Sequence, residues 1–207
     1  MPVLVWRFAR PLLAISSGPL GGGIGTRSWA VNATVPMSYD RDDPDVHLAG
    51  IAAGLGLAGS SGVGLLTGVD VGRRVSADDG GVAVTATVGL GAPAWAAAPD
   101  GAQRRVGAGT INVVAQVPVR LSEAALVNAV ATITEAKTQA LWDLPVPATG
   151  TCTDAVCLTC PPDGPVEPYG GPRSTWGARL ARAVHAAVLD GGKDWHATPK
   201  SWSAALG

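Results

Sequence analysis

Residues 122–141 read SEAALVNAVATITEAKTQAL, directly behind the apolar run TINVVAQV at 110–117. Ser122-Glu123 is a helix start: a hydroxyl cap with an acid in the first turn. At about 100° per residue the segment sorts into two faces. Asn128, Thr132, Glu135 and Gln139 share a narrow polar face, and Leu126, Val130, Ile133, Ala140 and Leu141 a wide apolar one. Lys137 falls in the middle of the apolar face, beside Leu126 and Ile133. A lysine there snorkels out along its stem, makes a structural ion pair, or is held desolvated in a functional site.

Working outward, strands are predicted at Val3–Phe8, Leu12–Ser16, Ser28–Val35, Val63–Val69, Val82–Val88, Thr110–Val117 and Thr153–Thr159. The first two are separated by a break near Arg10-Pro11. Asp43 as N-cap and Pro44 at the first helical position predict a helix to about Leu57. A further helix begins near Thr175, with Leu180, Val184 and Val188 on its apolar line and Arg179 and Arg182 on the other side. Gly54-Leu55-Gly56-Leu57-Ala58-Gly59 matches a dinucleotide-binding fingerprint literally, but a helix precedes it and a strand follows. That is the reverse of what the fingerprint needs, so it reads as a helix unwinding through glycine. The pattern predicts one domain of α/β or α+β class over 1–190, a mixed sheet with packed helices, and a loosely ordered tail over 191–207.

Composition narrows the function. The apolar fraction is 47% with a single Phe and seven Trp, which predicts a core of small side chains with tryptophan supplying most of the bulk. The net charge of -1 and pI of about 6.3 leave no electrostatic footprint for nucleic acid. The pairs Arg73-Arg74 and Arg104-Arg105 read as solvated loop charges. No window is long and apolar enough for a membrane span, and no targeting segment is evident. Three Cys, an odd number, argue against a disulfide framework and favour a reducing, cytoplasmic location.

Candidate chemistry gathers in a few places. The histidines at 47, 185 and 196 have no ligand spacing, and His185 reads as solvated. Cys152, Cys157 and Cys160 lack a fourth partner, and Cys157 and Cys160 point to opposite faces of a strand. They read as small buried hydrophobes, so no metal is expected. Gly150-Thr151-Cys152-Thr153-Asp154 runs from a turn into a strand, where hydroxyls and carboxylates are positioned for catalysis, or where they satisfy their own turn. The Gly18–Gly25 loop, Gly23 included, can approach a ligand closely or simply turn the chain. The Gly89–Gly107 loop, with Trp95, is long enough to wall a site.

Several runs taken together resemble the CbiZ family of adenosylcobinamide amidohydrolases. They are the Asn32 strand, Tyr39–Pro44, Gly109-Thr110-Ile111-Asn112, Thr134-Glu135-Ala136-Lys137, Thr149–Asp154, and Tyr169-Gly170-Gly171 before a helix carrying Gly177. Cys152 departs from the family pattern, which usually has glycine there. The resemblance implies hydrolysis of the amide joining the aminopropanol arm to the corrin ring of adenosylcobinamide or its phosphate. The products would be adenosylcobyric acid and the amino alcohol, in corrinoid salvage for coenzyme B12 synthesis. The corrinoid is then a small-molecule substrate rather than a cofactor, and no cofactor, nucleic acid or membrane partner is expected.

Amide hydrolysis needs an activated nucleophile, a home for the oxyanion and an acid for the leaving amine. Lys137 is the expected catalytic ammonium, and Asp154 a base or orienting carboxylate. Thr110, Thr151 or Thr153 supplies the nucleophile or holds a water, and Asn32 and Asn112 donate to the oxyanion. Glu135 lies opposite Lys137 on the wheel, yet the family motif contains both, so it stands as a candidate too. Trp95 and the two loops would shape a broad cleft, with the glycine loop able to take a substrate phosphate. A non-catalytic corrinoid-binding protein, or a metal- or nucleotide-dependent amidase of another class, are the competing readings.

Overall fold

The computed structural model describes residues 1–101 and 109–198. Its elements in chain order are β1 (Val3–Ser16), β2 (Gly23–Thr34), α1 (Pro44–Gly54), β3 (Gly62–Thr67), β4 (Val75–Asp79), β5 (Val82–Gly89), β6 (Pro93–Ala94) and β7 (Thr110–Gln116). There follow β8 (Arg120–Leu121), α2 (Glu123–Asp143), β9 (Gly150–Thr151), β10 (Ala155–Cys160), β11 (Val166–Glu167) and α3 (Thr175–Ala197). Seven strands form one mixed sheet in the order β3-β2-β1-β10-β7-β5-β4. The pairs β2–β3 and β7–β10 are parallel and the other neighbours antiparallel. The mixed sheet with packed helices is the architecture the hydrophobic periodicity predicts.

Period-two alternation decides what each face meets. Val82, Val84 and Val88 of β5 and Ile111, Val113 and Ala115 of β7 pack against Leu126, Ile133, Leu180, Val184 and Val188 of α2 and α3. On β2, Trp29 and Val31 meet Leu48 and Ala52 of α1. The intervening residues form a separate cluster: Ala30, Val63 and Leu65 from β2 and β3 meet Val114, Ala155 and Cys157 from β7 and β10. The sheet is therefore curled, with all three helices outside and its two halves packed on each other within the concave face. Cys157 and Cys160 fall in different clusters, on opposite faces, and burial pushes the Cys157 thiol up to about 12.

Several expectations change. Arg10-Pro11 does not end a strand: β1 is continuous, and a register shift between Arg7 and Leu12 absorbs the proline, whose missing N–H a bulge tolerates. Tryptophan is not the main bulk of the core. Trp29 and Trp195 are buried, but Trp95 and Trp142 are exposed, and the largest fully buried side chains are Leu, Ile and Val. The tail does not start at Gly191, because α3 runs to Ala197. A Cβ on Gly191 would lie 2.6 Å from Val88, and one on Gly192 2.2 Å from Leu144, so these glycines allow helix contact rather than a turn. Arg73 is not a solvated charge: it bonds Asp194 and the Thr198 carbonyl, fastening the end of α3. Arg104-Arg105 and residues 199–207 lie outside the described residues. The literal glycine fingerprint is the end of α1, with Gly56 at φ 71° and β3 following.

The Gly170-Gly171 run and Gly177 form a close packing joint. A Cβ on Gly170 would lie 2.1 Å from the Ala125 carbonyl oxygen of α2, and one on Gly177 2.0 Å from the Gly171 carbonyl oxygen. The Thr132 hydroxyl donates to the Gly170 carbonyl at 2.9 Å. Thr132 is thus buried rather than on a solvated polar face. His185 likewise is not merely solvated: its Nε2 lies 2.7 Å from the Asp143 carboxylate, linking α3 to the end of α2.

Candidate active site

The chain between α2 and β10 turns sharply at Thr149–Asp154 and brings the Asp154 carboxylate to the end of the sheet where the interior strands β7 and β10 begin. Oδ1 accepts from the Ile111 amide at 2.8 Å and the Thr151 hydroxyl at 2.5 Å. Oδ2 accepts from Lys137 Nζ at 2.5 Å and the Thr151 amide at 3.0 Å. These four donors match the acceptor capacity of a carboxylate. The Lys137 and Asp154 side chains are only 12% and 13% exposed. Lys137 does not snorkel into solvent: its ammonium ends on Asp154, as an ion pair.

Gly150 is what lets the pair close. A Cβ there would lie 2.3 Å from Asp154 Oδ2 and 2.5 Å from Lys137 Nζ. We expect Gly150→Ala to push the ion pair apart and reduce kcat about 100-fold, since a misplacement of about an ångström has that effect even when the mutation is far from the chemistry. Steady-state kinetics checks this, with circular dichroism confirming the fold.

On the concave side of the same end of the sheet, Thr110 Oγ1 lies 2.6 Å from Thr153 Oγ1, and the Thr153 hydroxyl also reaches the Gly109 carbonyl at 3.1 Å. Both threonines line a cavity of about 290 Å³ that is otherwise largely apolar, walled by Val35, Met37, Tyr39 and Ala155 among others. Tyr39 is fixed by His47, with the hydroxyl 3.0 Å from Nδ1 and the rings stacked at 5.5 Å. Burial raises the Tyr39 phenol above its ordinary range. Sequence reasoning used the Tyr39–Pro44 run only for the helix start at Asp43-Pro44 and for the family resemblance, and missed that it walls a cavity.

Other expected residues are placed differently. Asn112 donates both amide hydrogens, to Asn32 Oδ1 at 3.0 Å and the Leu66 carbonyl at 2.8 Å. Asn32 donates to the Thr87 hydroxyl at 3.0 Å. These buried amides clasp β2 and β3 to β5 and β7 across the concave face, and Asn112 has no N–H left for an oxyanion. Its Oδ1 is buried without a partner. Glu135 is exposed on the flank of α2 away from Asp154, beside Gln139 and Arg173. Gly23 opens β2 opposite Ser16, and the glycine loop directs its Gly21 and Gly22 carbonyls at the Arg27 guanidinium. Trp95 sits beside the turn, because β6 pairs with β9 and the Ala96 amide donates to Thr149 Oγ1. The short β6–β9 ribbon carries too few residues for a periodic signal.

Among the described residues, no cluster of three or more His, Cys, Asp or Glu side chains is arranged to hold a metal. No described helix is long and apolar enough to cross a membrane. Residues 1–200 match the CbiZ family, adenosylcobinamide amidohydrolase. The chain is similar to the adenosylcobinamide amidohydrolase of Halobacterium salinarum, 36% identical over 173 residues that cover 81% of this chain and 74% of that protein. It is also similar to that of Methanosarcina mazei, 32% identical over 180 residues that cover 83% of this chain and 85% of that protein. With this likeness spanning the sheet, the Asp154 cluster and α3 alike, the chain belongs to the CbiZ family of adenosylcobinamide amidohydrolases.

Proposed function

We propose that this protein hydrolyses the amide between the aminopropanol arm and the corrin ring of adenosylcobinamide or its phosphate. Water is consumed, the C–N bond breaks, and adenosylcobyric acid and the amino alcohol (or its phosphate) leave. This returns salvaged corrinoid to coenzyme B12 synthesis. The corrinoid acts as substrate, and the chemistry is assigned to side chains alone. A cytoplasmic setting belongs to the same reading and is supported by the odd number of cysteines and by Cys157 and Cys160, which are buried on opposite faces of β10 as thiols.

The observation that carries the reading is the Thr151–Asp154–Lys137 array. A hydroxyl bonded to a carboxylate, which is itself oriented by a third group, is the arrangement of an activated nucleophile. Thr151 Oγ1 attacks the amide carbonyl as its proton passes to Asp154 Oδ1. The Lys137 ammonium gives its proton to the departing amine. Water then cleaves the Thr151 ester: its hydroxyl goes to the acid and its other proton to Thr151, while the proton held on Asp154 passes to Lys137. Lys137 and Asp154 hold their geometry before substrate arrives, so little reorganisation is required in the transition state.

The test is incubation with adenosylcobinamide followed by mass spectrometry. The expected result is adenosylcobyric acid with the wild-type protein and at least about 1,000-fold less with Thr151→Ala. Full activity in Thr151→Ala would remove Thr151 as nucleophile. Tight binding with no product from the wild-type protein would favour a corrinoid carrier.

A further inference from the structure

The outward side of α2 lacks the charges that a solvated helix carries. At about 100° per residue, Ala124, Val127, Ala131, Thr134, Thr138 and Trp142 fall within about 80° of one another. They recur every three or four residues along the whole helix, and none is charged. All but the half-buried Thr138 are exposed, Val127 by 58% and Trp142 by 74%. The ordinary case is α3, whose outward side carries Arg182, Asp190 and Lys193. A helix that is apolar on both sides is one that something covers.

The charges beside the stripe narrow what covers it. Glu123 and Glu135 lie on its two margins and Asp143 at its end, while Lys137, the one base of the helix, is turned inward to Asp154. Acidic margins exclude an anionic membrane or a nucleic acid, both of which need Lys or Arg there. The stripe is instead complementary to itself. Ala131 lies at its middle and is small enough to let two copies of α2 approach closely. In an antiparallel pair with the two-fold axis at Ala131, residues equally far from it in sequence meet. Ala124 then falls level with Thr138 of the other copy, and Val127 with Thr134. Glu135 comes beside Asn128 and Glu123 beside Thr138, so no acid meets an acid. The opposed helix dipoles favour the same direction.

The ends of the helix fit this arrangement too. Trp142 reaches past the start of the other α2 to the β8–β11 ribbon, where Arg120 pairs with Val166. Val166 and Tyr169 are both exposed there, and a guanidinium such as that of Arg120 suits an indole face. A helix of 21 residues is about 31 Å long and about 10–12 Å across. Two such faces, with the ribbon contacts at both ends, reach the roughly 1,200 Å² at which specific interfaces begin.

We propose that the outward face of α2 pairs with the same face of a second copy of this chain, forming an antiparallel two-fold dimer. The face adjoins the reacting cluster: the Thr138 hydroxyl donates at 3.0 Å to the Thr149 carbonyl, in the turn that carries Thr151 and Asp154. The pairing therefore braces from outside the helix that presents Lys137. It stands independently of the amidase reading, because none of its residues is placed in that cluster.

The test is sedimentation velocity on the full chain, 20.7 kDa, from about 1 to 100 µM. The wild-type protein should run as a species of twice that mass. Ala131→Arg sets two guanidinium groups against each other on the axis and should stay monomeric. Arginine is nearly as good a helix former as alanine, and circular dichroism verifies the fold. Trp142→Ala should weaken the dimer by at least about tenfold. Ala131→Cys meets its own counterpart and should give a covalent dimer under mild oxidation. Two copies of Ala124→Cys would stand about 21 Å apart and should link no more than the wild-type protein does. A wild-type protein that is monomeric at every concentration overturns the proposal, as does an undiminished dimer in folded Ala131→Arg. Linking through Ala124→Cys but not Ala131→Cys overturns the antiparallel arrangement.

Discussion

Asp154→Ala is expected to abolish turnover, by at least about 10⁴-fold in kcat, and to destabilise the fold by about 3–5 kcal/mol in urea unfolding. Both effects come from the same four hydrogen bonds. Removing the carboxylate leaves the Lys137 ammonium poorly hydrated on an apolar helix face, and leaves the Ile111 and Thr151 amides without their acceptor. It also takes away the acceptor of the Thr151 hydroxyl, the group to which the proposed mechanism passes the Thr151 proton. Asp154→Asn is the informative companion. It can preserve part of the hydrogen bonding to the backbone amides but carries no charge for Lys137. It should recover part of the stability and little of the activity. Wild-type stability in Asp154→Ala would show that the pair does not hold this end of the sheet together.

Gly177→Ala is expected to destabilise the protein by about 3 kcal/mol or more without any contact to the site. Alanine is normally the better helix former, so propensity alone predicts the opposite sign. Here the new methyl would lie 2.0 Å from the Gly171 carbonyl oxygen and 2.5 Å from that of Gly170. The neighbours are backbone, and backbone cannot rotate away. The Gly170-Gly171 turn would have to leave its place against α2, where Thr132 bonds it. Chemical denaturation checks this, and a variant as stable as the parent would contradict the close joint. The glycines at 170, 171 and 177 are therefore explained by packing, whereas Gly150 is explained by the Lys137–Asp154 ion pair it makes room for.

The parts of this architecture that local sequence expresses were legible beforehand. α2 announced itself through the Ser122 cap, which accepts from the Ala125 amide as a capping hydroxyl should, and through its apolar stripe. The misfit of Lys137 on that stripe, together with the carboxylate at the next strand entry, pointed to the pair the structure brings together. What stayed hidden depends on long-range closure. A helical wheel does not know that the Gly170 turn covers one flank of α2, so Thr132 reads as exposed. Period-two alternation tells which residues share a face but not that the sheet curls until Asn32 reaches Asn112, 80 positions along the chain. Without that curl the asparagines read as oxyanion donors, and the cavity between Tyr39 and Thr110 has no signature. Glu135 entered through its motif alone, and its place on the wheel, opposite Lys137, agrees with the exposed position it occupies.

The central claim is that a lysine held on a carboxylate at the start of β7 and β10 takes part in cutting a C–N bond. Lys137→Met tests it most directly, because it keeps the apolar stem and removes the charge. Affinity for adenosylcobinamide and single-turnover formation of adenosylcobyric acid would be measured side by side. The account predicts binding within about threefold of the parent and product formation slower by at least about 1,000-fold. Product formed at the parental rate by a folded Lys137→Met would contradict it.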